Sequence, residues 1–111
     1  MIVYISGKYT APDRLKTLEN IMYAEKFAVK VWEAGHFAFC PHLNTRLFED
    51  KCKIAPDTYI KADLMFLERC DAILMIPNWK DSSGAKIEHE FAEANGIPIY
   101  YDVRDVPCPT T

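Results

Sequence analysis

A chain of 111 residues with 13 basic and 16 acidic side chains, net charge −3, is long enough for a single modest core. Half of it is apolar and 26% charged, an ordinary globular balance, and no basic block or stripe marks it as a binder of nucleic-acid polymers. The opening run, Met1 to Lys8, lacks the charged start and long apolar stretch of a signal peptide, and no run approaches membrane-spanning length. A cytoplasmic protein without a membrane partner is therefore expected.

Ile2–Ser6 is a β-rich apolar run stopped by Gly7. A long helix follows over about Asp13–Ala34, with Leu18, Ile21, Ala24, Ala28 and Val31 at helical spacing and Gly35 closing it. Phe37–Cys40 reads as a second strand ended by Pro41, and His42–Pro56 as a polar surface loop. Asp57 is placed to cap a second helix reaching about Arg69. Asp71–Ile76 is a nearly continuous apolar strand stopped by Pro77. The stretch Asp81 to Ala92 opens as a loop and becomes a helix ending at Asn95 and Gly96, and Ile97–Tyr101 is a final strand. The tail Asp102–Thr111, with Pro107 and Pro109, reads as peripheral to a single domain spanning residues 1–111.

Strands that alternate with helices and read as continuous apolar runs predict an α/β fold with both faces of a parallel sheet covered. The expected architecture is a small Rossmann-like three-layer sandwich with four or five strands. Ligands of such sheets bind beyond the carboxyl ends of the strands. That rule selects Ser6–Thr10, Pro41–Thr45 and Pro77–Gly84.

The four cysteines, Cys40, Cys52, Cys70 and Cys108, form no Cys-x-x-Cys pair and read as free thiols. Cys40, His42 and Cys52 match no familiar zinc spacing, so no metal and no cofactor are expected.

Two acids stand on faces that ought to be apolar. In the last helix Ala85, Glu88, Phe91 and Ala92 share one face, while Lys86, Glu90 and Glu93 share a solvated one. In the helix before it, Asp63 lies within the stripe of Ile60, Leu64 and Leu67. Both helices present their early turns at the same sheet edge, so Asp63 and Glu88 are expected to converge on one crevice. Asp71 starts its strand at the opposite edge. A carboxylate that is costly to bury needs partners or work. Two carboxyls flanking a crevice suit glycosidic-bond cleavage, one meeting the anomeric carbon and the other protonating the leaving group. A core acid bonded to backbone amides or a Tyr is the other reading of Glu88, and a packing or helix-start role the other reading of Asp63.

Ser82, Ser83 and Gly84 offer small side chains and amides at a helix start, either an anion or sugar-hydroxyl site or only a cap. Ser6 at the end of the first strand is a candidate for substrate binding, and Gly7-Lys8-Tyr9 permits close backbone approach and offers an aromatic for stacking on a base, or is only a turn. His42 and Asn44 would read a base edge or form a turn. There is no Gly-x-Gly-x-x-Gly and no Walker loop, which argues against dinucleotides and triphosphates.

The motifs Tyr4-Ile5-Ser6-Gly7, Cys40-Pro41-His42-Leu43-Asn44, Cys70-Asp71-Ala72 and, above all, Asp81-Ser82-Ser83-Gly84-Ala85-Lys86-Ile87-Glu88 are together similar to the nucleoside 2-deoxyribosyltransferase-like superfamily, in particular its short bacterial and phage members. The resemblance implies that Glu88 attacks C1′ of a 2-deoxyribose to form a covalent glycosyl-enzyme. It implies that Asp63 protonates or orients the departing base and that Tyr9 lines the base pocket. Ser82 stands where the transferases carry an aspartate that holds sugar hydroxyls. The related monophosphate hydrolases have a phosphate-binding serine there, which points to a nucleotide 5′-monophosphate. The expected activity is thus N-glycosidase or deoxyribosyltransferase chemistry in nucleotide metabolism, by hydrolysis or base exchange. The alternative is a non-catalytic nucleotide-binding or sensor module using the same crevice. A homo-oligomer is implied by analogy, with Phe48, Phe66 and Trp79 lying outside the core stripes.

Overall fold

The computed structural model describes residues 1–109. Four parallel strands form one sheet in the order β2-β1-β3-β4: β1 is Ile2–Ser6, β2 Phe37–Phe39, β3 Ala72–Met75 and β4 Ile99–Tyr100. Helices α1 (Arg14–Glu33), α2 (Pro41–Asn44), α3 (Pro56–Glu68) and α4 (Ser83–Ala94) connect them. This is the expected α/β sandwich. Asp13 caps α1 by accepting from the Lys16 amide at 2.8 Å, and Gly35 ends it in a left-handed conformation, φ 91°.

The layers follow from the period of two in β1. Val3 and Ile5 face α1 and pack with Ala24, Ala28, Val31, Leu74 and Ile76. Tyr4 faces the other way, into a core with Leu67 of α3, Ile73, Met75, and Ala85 and Ala92 of α4. The first layer thus carries α1, and the third carries α3 and α4.

Three expectations need correction. The segment read as a loop from His42 holds α2, with Pro41 in its first turn, and a 3-10 turn at Phe48–Asp50. Asp57 is not the cap of α3: Pro56 begins the helix after Ala55, and Asp57 pairs instead with Lys61 at 3.7 Å. The tail is not peripheral throughout. It makes a 3-10 turn at Val103–Asp105 and inserts Val106, 7% exposed, into the core beside α1. Residues 110 and 111 of the tail lie outside the described residues. Val106→Ala should lower stability by about 1–2 kcal/mol, the loss of buried methyls plus the space left behind. A urea midpoint unchanged by the substitution would show the tail to be dispensable.

Candidate active site

The site is built on the carboxyl end of β1, the middle of α3 and the early turns of α4. Glu88 lies one turn into α4 on its core face and is 6% exposed. Both of its oxygens are held from β1. The Tyr4 hydroxyl donates to Oε2 at 2.5 Å, and the Ser6 hydroxyl donates to Oε1 at 2.6 Å. Each carboxylate oxygen keeps a second lone-pair direction, so the two bonds fix the group without exhausting it. Burial pushes the Glu88 carboxyl up to about 7, the Ser6 and Tyr4 hydroxyls pull it down, and the Asp63 charge adds to the rise. Burial, followed by the charges of Glu88 and Asp63, holds the Tyr4 phenol well above its ordinary value, so it remains a donor.

Asp63 is half-buried on α3, and burial raises its carboxyl to about 6. The Asp63 charge reaches Glu88 because α3 and α4 lie side by side. Gly84 allows this: a Cβ there would stand 3.3 Å from Ile60 Cδ1 on α3. Asp71 is at the far edge, where its Oδ2 accepts from the Ile2 amide at 2.7 Å.

Ser82 is half-buried and caps α4, its Oγ accepting from the Ala85 amide at 3.1 Å. That bond uses a lone pair and leaves the hydroxyl hydrogen to donate elsewhere. Ser83 is exposed at the first position of the helix, where amides lack intrahelical acceptors.

Beyond Ser6 the backbone passes close against the end of β3 at Gly7. A Cβ there would fall 2.3 Å from Ile76 Cγ1 and 2.8 Å from Asn78 Oδ1. Asn78 Oδ1 accepts from the Lys8 amide at 3.0 Å, tying the ends of β1 and β3 together. Gly7→Ala should therefore destabilise by roughly 1–3 kcal/mol through overpacking. A melting temperature within a degree of the parent would contradict it.

His42, 4% exposed, sits in α2 with Nε2 2.9 Å from the Lys8 carbonyl oxygen. Burial lowers its pKa, so the ring is neutral, Nε2 donates, and the buried Nδ1 is an acceptor with no partner among the described residues. Its ring meets Tyr9 edge-on at 5.3 Å. The Tyr9 hydroxyl is engaged with the 3-10 turn: it donates to Glu49 at 2.9 Å and accepts from the Leu47 amide at 3.0 Å. Arg14 pairs with Asp50 in the same region. Asn44 is exposed at the end of α2.

The candidate residues thus fall into two groups. Ser6 and Glu88 are hydrogen-bonded, with Tyr4 as a further member and the Asp63 charge bearing on Glu88 from α3; Gly7, Tyr9 and His42 lie just beyond β1. Asn44 and Ser83 stand exposed at the ends of their helices. Tyr4 and Asn78 were not among the candidates. Tyr4 and Ser6 are two hydroxyls at alternate positions on one face of an apolar strand, a signal present in the sequence. Asn78 carries no such signal.

Among the described residues no three His, Cys, Asp or Glu side chains group to hold a metal, and no helix is long and apolar enough to cross a membrane.

A comparison with curated protein sequences gives no match. Among solved structures, the fold is similar to that of the 2-deoxyribosyltransferase from the psychrotolerant bacterium Bacillus psychrosaccharolyticus. The TM-score is 0.60 at 19% identity, over 89% of this chain and 69% of that one. At that identity the likeness establishes the shared three-layer fold. The family model described as domain of unknown function DUF4406 matches residues 1–101, and the chain belongs to that family.

Proposed function

We propose that the protein cleaves the N-glycosidic bond of a deoxynucleoside or a nucleoside 5′-monophosphate through a covalent glycosyl-Glu88 intermediate. The observation that carries this reading is a buried carboxylate whose two oxygens are oriented by the Tyr4 and Ser6 hydroxyls, beside a second carboxyl with a raised pKa. An acid kept near neutrality by burial is poised to change state during a reaction. The shared fold with a 2-deoxyribosyltransferase supports nucleoside glycosyl transfer as the class of chemistry.

In the first step a Glu88 oxygen bonds to C1′ as the bond from C1′ to the base nitrogen breaks. The bonding pair leaves with the base, and the Asp63 carboxyl delivers its proton there. In the second step Asp63, now ionised, takes a proton from water as the water oxygen bonds to C1′ and releases Glu88; a new base would take the place of water in exchange. Two displacements retain configuration at C1′. The Ser82 hydroxyl and the first amides of α4, at Ser83 and Gly84, would hold a 5′-phosphate or sugar hydroxyl. Tyr9, His42 and Asn44 would flank the base.

The test is incubation with a panel of nucleosides and monophosphates, following free base and the anomeric configuration of the sugar product. A trapped mass adduct on the peptide containing Glu88 is expected with a slow substrate. Ligand binding without any base release would make the crevice a binding module, and release with inversion would remove the covalent role of Glu88.

A further inference from the structure

The outer face of α1 carries an apolar stripe that the fold does not use. The buried face of this 20-residue helix is Thr17, Ile21, Ala24, Ala28 and Val31. On the opposite side Leu15, Met22 and Val29 follow one another at seven-residue spacing and are 67%, 60% and 50% exposed. Leu18 and Trp32 extend the stripe at the intervening heptad position, Trp32 being 55% exposed and set edge-on against Phe37 at 5.2 Å. A repeat of apolar residues in heptad a and d positions is the pattern of a helix that packs along another helix.

We propose that this face of α1 pairs, antiparallel and about a two-fold axis, with α1 of a second copy of this chain. Charge decides both the occupant and the direction. Glu25 occupies the one heptad position in the stripe that is not apolar, and a parallel pair would set it against its own copy. In the antiparallel pair Glu25 meets the partner's Met22, Leu15 meets the partner's Trp32, and Leu18 meets the partner's Val29. The flanking positions then bring Glu19 against the partner's Lys26 and Lys26 against the partner's Glu19, two ion pairs generated by one symmetry operation. Among the described residues neither Glu19 nor Lys26 makes an ion pair within its own chain. Of the other aromatics outside the core stripes, Trp79 packs partly buried against the core and stacks on His89 at 4.5 Å, while Phe66 packs on Phe39 at 4.7 Å and stays 41% exposed.

The experiment is sedimentation equilibrium on the full chain from about 1 µM to about 1 mM, a range that spans the affinities of modest interfaces. A monomer–dimer equilibrium is expected. Met22→Glu sets like charges together twice and should weaken association at least about 10-fold, with an unchanged circular dichroism spectrum because the side chain is largely exposed. Glu19→Lys and Lys26→Glu should each weaken association by roughly 3- to 10-fold, and the double reversal should restore it to within about 2-fold of the parent. A monomer at the highest concentration would overturn the proposal. So would a dimer indifferent to Met22→Glu, or two reversals whose effects simply add.

Discussion

Glu88→Gln should reduce base release by roughly 10³-fold or more, the scale of losing a covalent nucleophile, and at the same time make the protein more stable at pH 8. The second effect follows from linkage. The carboxyl holds its proton more tightly in the folded protein, near 7, than at its ordinary value of 4.5. Its effect on stability is absent below pH 4.5, grows as pH rises, and is complete above 7. A shift of that size corresponds to roughly 3 kcal/mol of destabilisation at pH 8. Glutamine has the same shape and does not ionise. Its oxygen accepts one hydroxyl bond, and its amide donates to the other hydroxyl once that rotates. The expected gain is about 1–3 kcal/mol at pH 8, several degrees in melting temperature, shrinking below about 1 kcal/mol at pH 5. A variant that melts lower than the parent at pH 8 would mark Glu88 as a satisfied core acid. Retained activity would sink its catalytic role.

Asp63→Asn should cost about 10²- to 10⁴-fold in kcat/KM and change the shape of the pH profile. Under the proposed mechanism the parent rate should fall at acid pH as Glu88 is protonated and at alkaline pH as Asp63 loses its proton. With the two carboxyls near 7 and near 6, the bell should peak between those values. Burial raises both carboxyls. The molecules that carry a single proton divide between the two in a ratio, and under the proposed roles only the share with the proton on Asp63 is productive. A ligand that excludes water from half-buried Asp63 raises its pKa further and shifts that ratio toward the reactive form. In the Asp63→Asn variant the alkaline limb should vanish, leaving a rate that rises through about pH 7 to a plateau, as ionisation of Glu88 requires. Substrates with weakly basic, good leaving bases should suffer least. A full bell persisting in the variant would assign the alkaline limb to another group.

Much of this was legible because helical periodicity exposes a residue of the wrong polarity. Glu88 among Ala85, Phe91 and Ala92, and Asp63 among Ile60, Leu64 and Leu67, stand out on spacing alone. The continuous apolar strands gave the parallel sheet for a similar reason. What escaped is equally physical. Tyr4 meets Glu88 across 84 residues, a pairing that no local window contains. Helix α2 has only four residues, too few for a period, although Pro41 at its start was a usable signal. Asp57 has the chemistry of a cap, but Pro56 sets the helix start two residues earlier, where its missing amide does no harm. Val106 is one apolar residue in a tail with flanking prolines, and nothing in its neighbourhood says that it reaches the core.

The position of β1 has a consequence for biosynthesis. It is made before both of its sheet neighbours, β2 and β3, and the latter ends at Met75. The Tyr4 and Ser6 hydroxyls find their acceptor only when Glu88 has been translated. On the ribosome, therefore, β1 gains both of its sheet neighbours while its two hydroxyls still lack their acceptor. The last helix satisfies the hydroxyls and covers the sheet in the same event. Assembly of the Glu88 site and closure of the third layer over the sheet therefore depend on the same helix, α4.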